Sequence, residues 1–144
     1  MRKFLLALSA IALPAYAAHA DPIKDREAMM KERGKIVGGL VKMVKGEASF
    51  DAAATLTALQ TLNANAEKGL EVDELWPAGS QGDSEASPKI WEDLAGFKTE
   101  AEKFKSVVAA AVAAPPADVA GLQAAVGAIG KECSACHETY RVKK

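Results

Sequence analysis

The chain has 144 residues, of which 49% are hydrophobic and 26% charged, with 18 basic against 19 acidic side chains. One domain fits that length, and so much apolar residue excludes a mainly disordered chain. A formal charge of −1 offers no basic surplus for nucleic acid, and two cysteines exclude a disulfide scaffold.

Arg2 and Lys3 precede the apolar run Phe4 to Leu13, Pro14 interrupts it, and Ala18-His19-Ala20 supplies small residues. This is the layout of a secretory signal peptide, with cleavage after Ala20. The run is about half of what a membrane-spanning helix needs, which argues against an anchor. The expected product is a periplasmic protein of residues 21–144, a single domain, with no membrane insertion after cleavage. It keeps one histidine, His137, and three methionines, Met29, Met30 and Met43.

From Pro22 to Val44 the apolar residues Met29, Met30, Ile36, Val37, Leu40, Val41, Met43 and Val44 follow a helical stripe. Lys24, Glu27, Lys31, Glu32 and Lys35 oppose it. Asp21-Pro22 is a good helix start and Gly46 a stop. The second segment spans 51–68, with Leu56, Leu59, Leu62 and Ala66 inward and Gly69 as a left-handed terminator. Residues 70–86 read as a long loop. Ser87-Pro88 opens a third helical segment, with Ile90, Leu94, Phe97, Ala101, Phe104, Val108 and Ala111 at steps of three and four. Pro115-Pro116 ends it. Asp118 caps a fourth, which buries Leu122, Val126, Ile129, Cys133, Cys136 and Tyr140. Four such segments predict an all-α, antiparallel four-helix bundle. No alternating β-branched runs point to a sheet.

The chemistry is concentrated in Cys133-Ser134-Ala135-Cys136-His137, a C-x-x-C-H run and the attachment motif of c-type haem. Two thiols add across the haem vinyl groups, and the adjacent imidazole reaches the iron. On a helix all three share a face. A disulfide, a thioredoxin-type redox pair and a zinc site compete with this reading. The redox pair needs a preceding strand, and two Cys with one His leave a structural zinc site one ligand short. The expectation is one covalent haem c per chain, near the C-terminal helix, with His137 as axial ligand.

His137 leaves no second mature histidine, so the sixth position falls to methionine or stays open. Met30 is the candidate. Arg26, one turn earlier, is a candidate partner for a haem propionate or else a solvated charge. Gly34, one turn later, leaves room for a flat ring. Met29 points about 100° away, and Met43 lies about 20 Å along the helix from Met30. Arg141, one turn past His137, is a candidate proximal-side charge or a complement to the helix C-terminus. Trp76 and Trp91 read as core or haem-edge packing.

With a C-terminal haem motif on a four-helix pattern, the chain resembles the class II c-type cytochromes, the cytochrome c-prime family. Lys45-Gly46 with Phe50-Asp51-Ala52-Ala53 looks like its first loop. Leu75-Trp76-Pro77 and Gly79-Ser80 look like its middle loop, and Ile90-Trp91 with Phe97-Lys98 like its third helix. Cys133, Cys136, His137, Tyr140 and Arg141 match its haem-binding end. The register counted back from Lys45-Gly46 puts the distal position at Met30, so the resemblance is to the six-coordinate cytochrome c-556 branch. It implies a periplasmic electron carrier rather than an enzyme, serving redox partner proteins of unknown identity. The alternative is a five-coordinate cytochrome c-prime that binds nitric oxide or carbon monoxide. Homodimers through the first two helices are frequent in the family, and Ala52, Ala53, Thr57 and Ala64 are candidates for such a seam.

Overall fold

The computed structural model describes residues 21–142, so the expected signal peptide, with its cleavage point, lies outside the described residues. The elements in chain order are α1 (Pro22–Val44), α2 (Ala52–Lys68), the single turns α3 (Val72–Leu75) and α4 (Lys89–Glu92), α5 (Leu94–Ala113) and α6 (Val119–Tyr140). The long helix α1 packs against α2 and α6, and α5 packs against the same two. Helices adjacent in the ring run antiparallel, which is the predicted four-helix bundle.

Every long helix opens on an aspartate. Asp21 accepts from the Ile23 and Lys24 amides at 3.1 and 3.2 Å, Asp51 from Ala54 at 2.8 Å, Asp93 from Gly96 at 3.0 Å and Asp118 from Gly121 at 2.8 Å. Each carboxylate satisfies an amide that the first turn leaves without a partner. Gly46 ends α1 with φ +74°, the left-handed turn expected of it. Gly69 departs from expectation, because its φ is −63° and its backbone is right-handed. A Cβ there would stand 3.0 Å from Arg33 Nη2 and 3.1 Å from the Ala66 carbonyl. The position is glycine for want of room.

The third predicted helix is broken. Asp93 ends α4 and caps α5 with φ −135° and ψ 61°, outside helical geometry. Its Oδ1 accepts from Gly96, while its Oδ2 accepts from the Tyr140 hydroxyl at 3.0 Å. One carboxylate thus starts α5 and fastens the end of α6. On α2 the buried stripe begins at Thr55, and Leu56 is only half-buried. The Thr55 hydroxyl has an outlet in Met43 Sδ at 3.6 Å, which makes its burial tolerable.

Residues 70–86 are structured rather than a simple crossover. Val72, Leu75 and Trp76 are buried, and Arg26 stitches the following loop to α1. Its Nη1 donates to the Leu75 carbonyl and Ser80 Oγ, both at 3.1 Å. Its Nη2 donates to the Ser80 and Gln81 carbonyls and to Ser84 Oγ. Arg26 is 4% exposed and its Nη atoms are hydrogen-bonded, so it is not a solvated charge.

The core is in two parts. Leu40, Leu59, Leu62, Phe104, Val108, Leu122 and Ile129 fill the bundle proper. Met29, Val72, Leu75, Trp76, Ile90, Phe97 and Tyr140 form a second cluster, in which Phe97 meets Trp76 and Tyr140 edge-on.

Two outcomes follow. Asp93→Ala removes a cap and leaves the Tyr140 hydroxyl without its acceptor, for a loss of about 2–3 kcal/mol in urea unfolding. Asp93→Asn recovers part of that loss, and an alanine variant within about 0.5 kcal/mol of wild type would refute the account. Arg26→Leu strands the carbonyls of the loop and costs about 3 kcal/mol or more. Arg26→Lys recovers little, because an ammonium lacks the planar fork. The Ser80 amide, which donates to the Pro77 carbonyl at 3.1 Å, should exchange with deuterium faster in both variants, and unchanged protection would contradict the latch.

Candidate haem site

The last helix carries the motif between the two cores. Cys133 packs against the bundle core and Cys136, one turn on, against the second cluster. His137 sits on the rim. All three line a cavity of about 730 Å³, bounded on the opposite side by Arg26, Met30, Arg33 and Gly34 of α1. Trp76, Ile90, Phe97 and Tyr140 supply much of its apolar wall. A narrower cleft shares Met30, Arg33, both cysteines and His137, and reaches Met29, Ala66 and Phe104.

The cavity suits the group that the motif implies. Its volume lies within the usual range for cofactor sites, and its wall is mainly apolar with a few convergent polar groups. A Cβ built on Gly34 meets nothing within 4 Å, so α1 presents open backbone beside Met30. Both cysteines are free thiols. Burial pushes the Cys133 thiol up. Burial, with Glu100 adding to it, pushes Cys136 up to about 11. Burial also lowers His137, helped by Arg141 and Arg33 and opposed by Glu85. A neutral imidazole is the form that ligates a metal.

Met30 is half-buried and shares both spaces with His137. Met29 is 3% exposed and belongs to the second core. Met43 packs against the bundle core, away from the motif. Arg26 lines the cavity while its Nη atoms hold the loop. Arg141 also lines it, but its side chain is spent on Glu85, with Nε 2.6 Å from Oε2. Around it the chain end pairs with the loop. Ser87 N donates to the Tyr140 carbonyl at 3.0 Å and Val142 N to the Glu85 carbonyl at 2.9 Å. Both tryptophans are packing residues. Trp76 is buried, and the Trp91 indole N–H donates to the Trp76 and Pro77 carbonyls at 3.1 Å each.

Sequence reasoning missed Arg33. It faces both spaces, stacks on Phe104 at 4.2 Å and donates from Nε to Asn65 Oδ1 at 2.9 Å. The available signal was spacing. Arg26, Met30 and Arg33 recur at steps of four and three on one helix face.

The Cytochrome C' family profile matches residues 21–141. Cytochrome c-556 of Agrobacterium fabrum is 40% identical over 125 residues, covering 87% of this chain and 84% of its own. The solved cytochrome c' of Rhodopseudomonas palustris is 35% identical, with TM-score 0.79, covering 87% of this chain and 98% of its own. A nitric oxide complex of a variant cytochrome c prime from Alcaligenes xylosoxidans is 32% identical, with TM-score 0.75, covering 89% and 99%. A four-helix bundle built around a C-x-x-C-H helix, matched along nearly all its described length, belongs to the cytochrome c' family, whose cofactor is covalent haem c.

Proposed function

We propose that this haem protein is an exported one-electron carrier, attached to its cofactor through Cys133 and Cys136, with His137 and Met30 as the two axial ligands. The observation that carries the ligand set is that Met30, from α1, and His137, from α6, line one cavity. Haem supplies a one-electron ferric–ferrous couple. His137, whose pKa burial lowers, offers a nitrogen lone pair. Met30 offers a thioether, which favours the ferrous state relative to a second imidazole. Arg26, already fixed by the loop, is the proposed propionate partner, and Arg141 with Glu85 sets the charge on the proximal side. The mature chain has no further histidine to serve as a distal acid–base group, which speaks against peroxidase-type chemistry. Redox proteins are the proposed partners, in the periplasm after cleavage at Ala20, with Ala52, Ala53, Thr57 and Ala64 as a homodimer seam.

A second reading has its own support. One similar protein was solved as a nitric oxide complex, and here Met30 is only half-buried beside the open backbone of Gly34. A mobile Met30 would leave an iron face for nitric oxide or carbon monoxide.

Acid–acetone extraction followed by mass spectrometry should find the polypeptide heavier by one haem, and Cys133→Ser with Cys136→Ser should abolish the increment. A bare polypeptide from cells able to mature c-type cytochromes would end the attachment proposal.

Oxidised wild-type protein should be low-spin, with a near-infrared sulfur-to-iron band. Met30→Leu should lose that band, become high-spin and take up carbon monoxide readily. Met29→Leu should leave the spectrum unchanged, since the swap nearly conserves apolar volume and costs under about 1.5 kcal/mol. A wild-type protein that is high-spin and binds carbon monoxide at once would support the gas-binding reading instead.

A further inference from the structure

Arg33 places a positive charge inside the wall of the site. Its guanidinium lies 4.2 Å from the Phe104 ring centroid. Its Nε donates to Asn65 Oδ1 at 2.9 Å, and its Nη2 to the Asn65 carbonyl at 3.4 Å. Asn65 is itself held, since its Nδ2 donates to the Met29 carbonyl at 3.0 Å and to Glu32 Oε2 at 2.8 Å. Gly69 keeps space clear beside Nη2. The side chain is therefore held by the ring and by both acceptors of Asn65.

None of these direct partners is an anion. Among the described residues no carboxylate lies within 4.0 Å of Arg33. Glu32 is reached only through the Asn65 amide. Glu100 and Glu132 share the narrow cleft, but Glu100 is paired with Lys103 at 2.7 Å. The groups opposite in the same cleft are Cys133 and Cys136, which carry no charge as thioethers. An arginine does not deprotonate in a protein, so the charge persists.

Position separates this charge from Arg26. Seven residues along α1 correspond to about 10.5 Å. Arg33 shares its cleft with the thiols that would mark the vinyl edge, whereas Arg26 holds the loop two turns away.

We infer that Arg33 is a potential-setting residue, whose fixed charge at the thioether edge, with no carboxylate in salt-bridge reach among the described residues, favours ferrous over ferric iron. The inference rests on Cys133, Cys136 and His137 being the attachment set. Ferric iron carries one more positive charge than ferrous, so a fixed cation close by in a poorly screening wall disfavours oxidation. Among the described residues Arg33 donates to Asn65 and to neither proposed iron ligand, so it acts through its field.

The test is potentiometry on the matured protein, followed through its visible spectrum. Arg33→Met removes the charge and keeps an unbranched, apolar chain against Phe104. It should shift the ferrous-to-ferric equilibrium about tenfold toward ferric iron, a fall of about 59 mV for one electron. Arg33→Lys, which keeps the charge, should stay close to wild type. Arg33→Gln also removes the charge while keeping a polar end toward Asn65, and should lower the potential as well, which keeps the test alive if Arg33→Met fails to fold. An unchanged potential in a haem-loaded Arg33→Met or Arg33→Gln protein would overturn the inference. A fall in Arg33→Lys equal to that in Arg33→Met would overturn it too, because packing would then be the cause. Absence of covalent haem from wild-type protein would instead show that the underlying attachment reading had failed.

Discussion

A rigid, flat macrocycle is wider than the gap between packed helices, whose axes sit about 8–10 Å apart. A bundle can hold one only by giving up side-chain packing over part of its length. That constraint organises this chain. Its core is divided into two clusters, with the cysteine-bearing turns of α6 between them. Helices α1, α5 and α6 supply most of the cavity wall, and Trp76, which follows α3, and Ile90 of α4 complete it, backed by Val72 and Leu75 in the same buried cluster. Segments that look like connections in a helical bundle are here part of the core.

Polar groups in such a wall need partners, and the chain supplies them from backbone rather than from charge. Arg26 is satisfied by carbonyls and hydroxyls of one loop, and Arg33 by an asparagine and a ring. Among the described residues neither forms a buried ion pair, which would bring a second desolvation cost. The exposed pairs, such as Lys24 with Asp21 and Lys98 with Asp73, lie in solvent and contribute little.

Much of this could be read from the sequence because it is local. The C-x-x-C-H run is contiguous, the aspartate caps sit immediately before their helices, and stripes such as Phe97, Phe104 and Val108 recur with the helical period. The misreadings share a cause, which is contact between residues far apart in the chain. Nothing near Asp93 signals that Tyr140 will take its second oxygen and break the helix there. Gly69 looks like a terminator, yet its smallness answers to Arg33, 36 residues earlier. Thr55 replaces Leu56 on the buried stripe because Met43, on another helix, receives its hydroxyl. Arg26 was legible as a residue of the site's face, while its latch on residues 75–84 was not, since the loop has no periodicity to align.

The shared carboxylate of Asp93 bears on mechanical compliance. Two oxygens of one short side chain join the first turn of α5 to the last turn of α6, three residues beyond His137. Local opening of one end therefore loosens the other, so the two turns belong to a single cooperative unit. Were His137 to hold the iron as proposed, an imidazole mounted on that unit would have little freedom to drift when the iron changed charge. The Asp93 contact would then limit nuclear displacement without itself reaching the site.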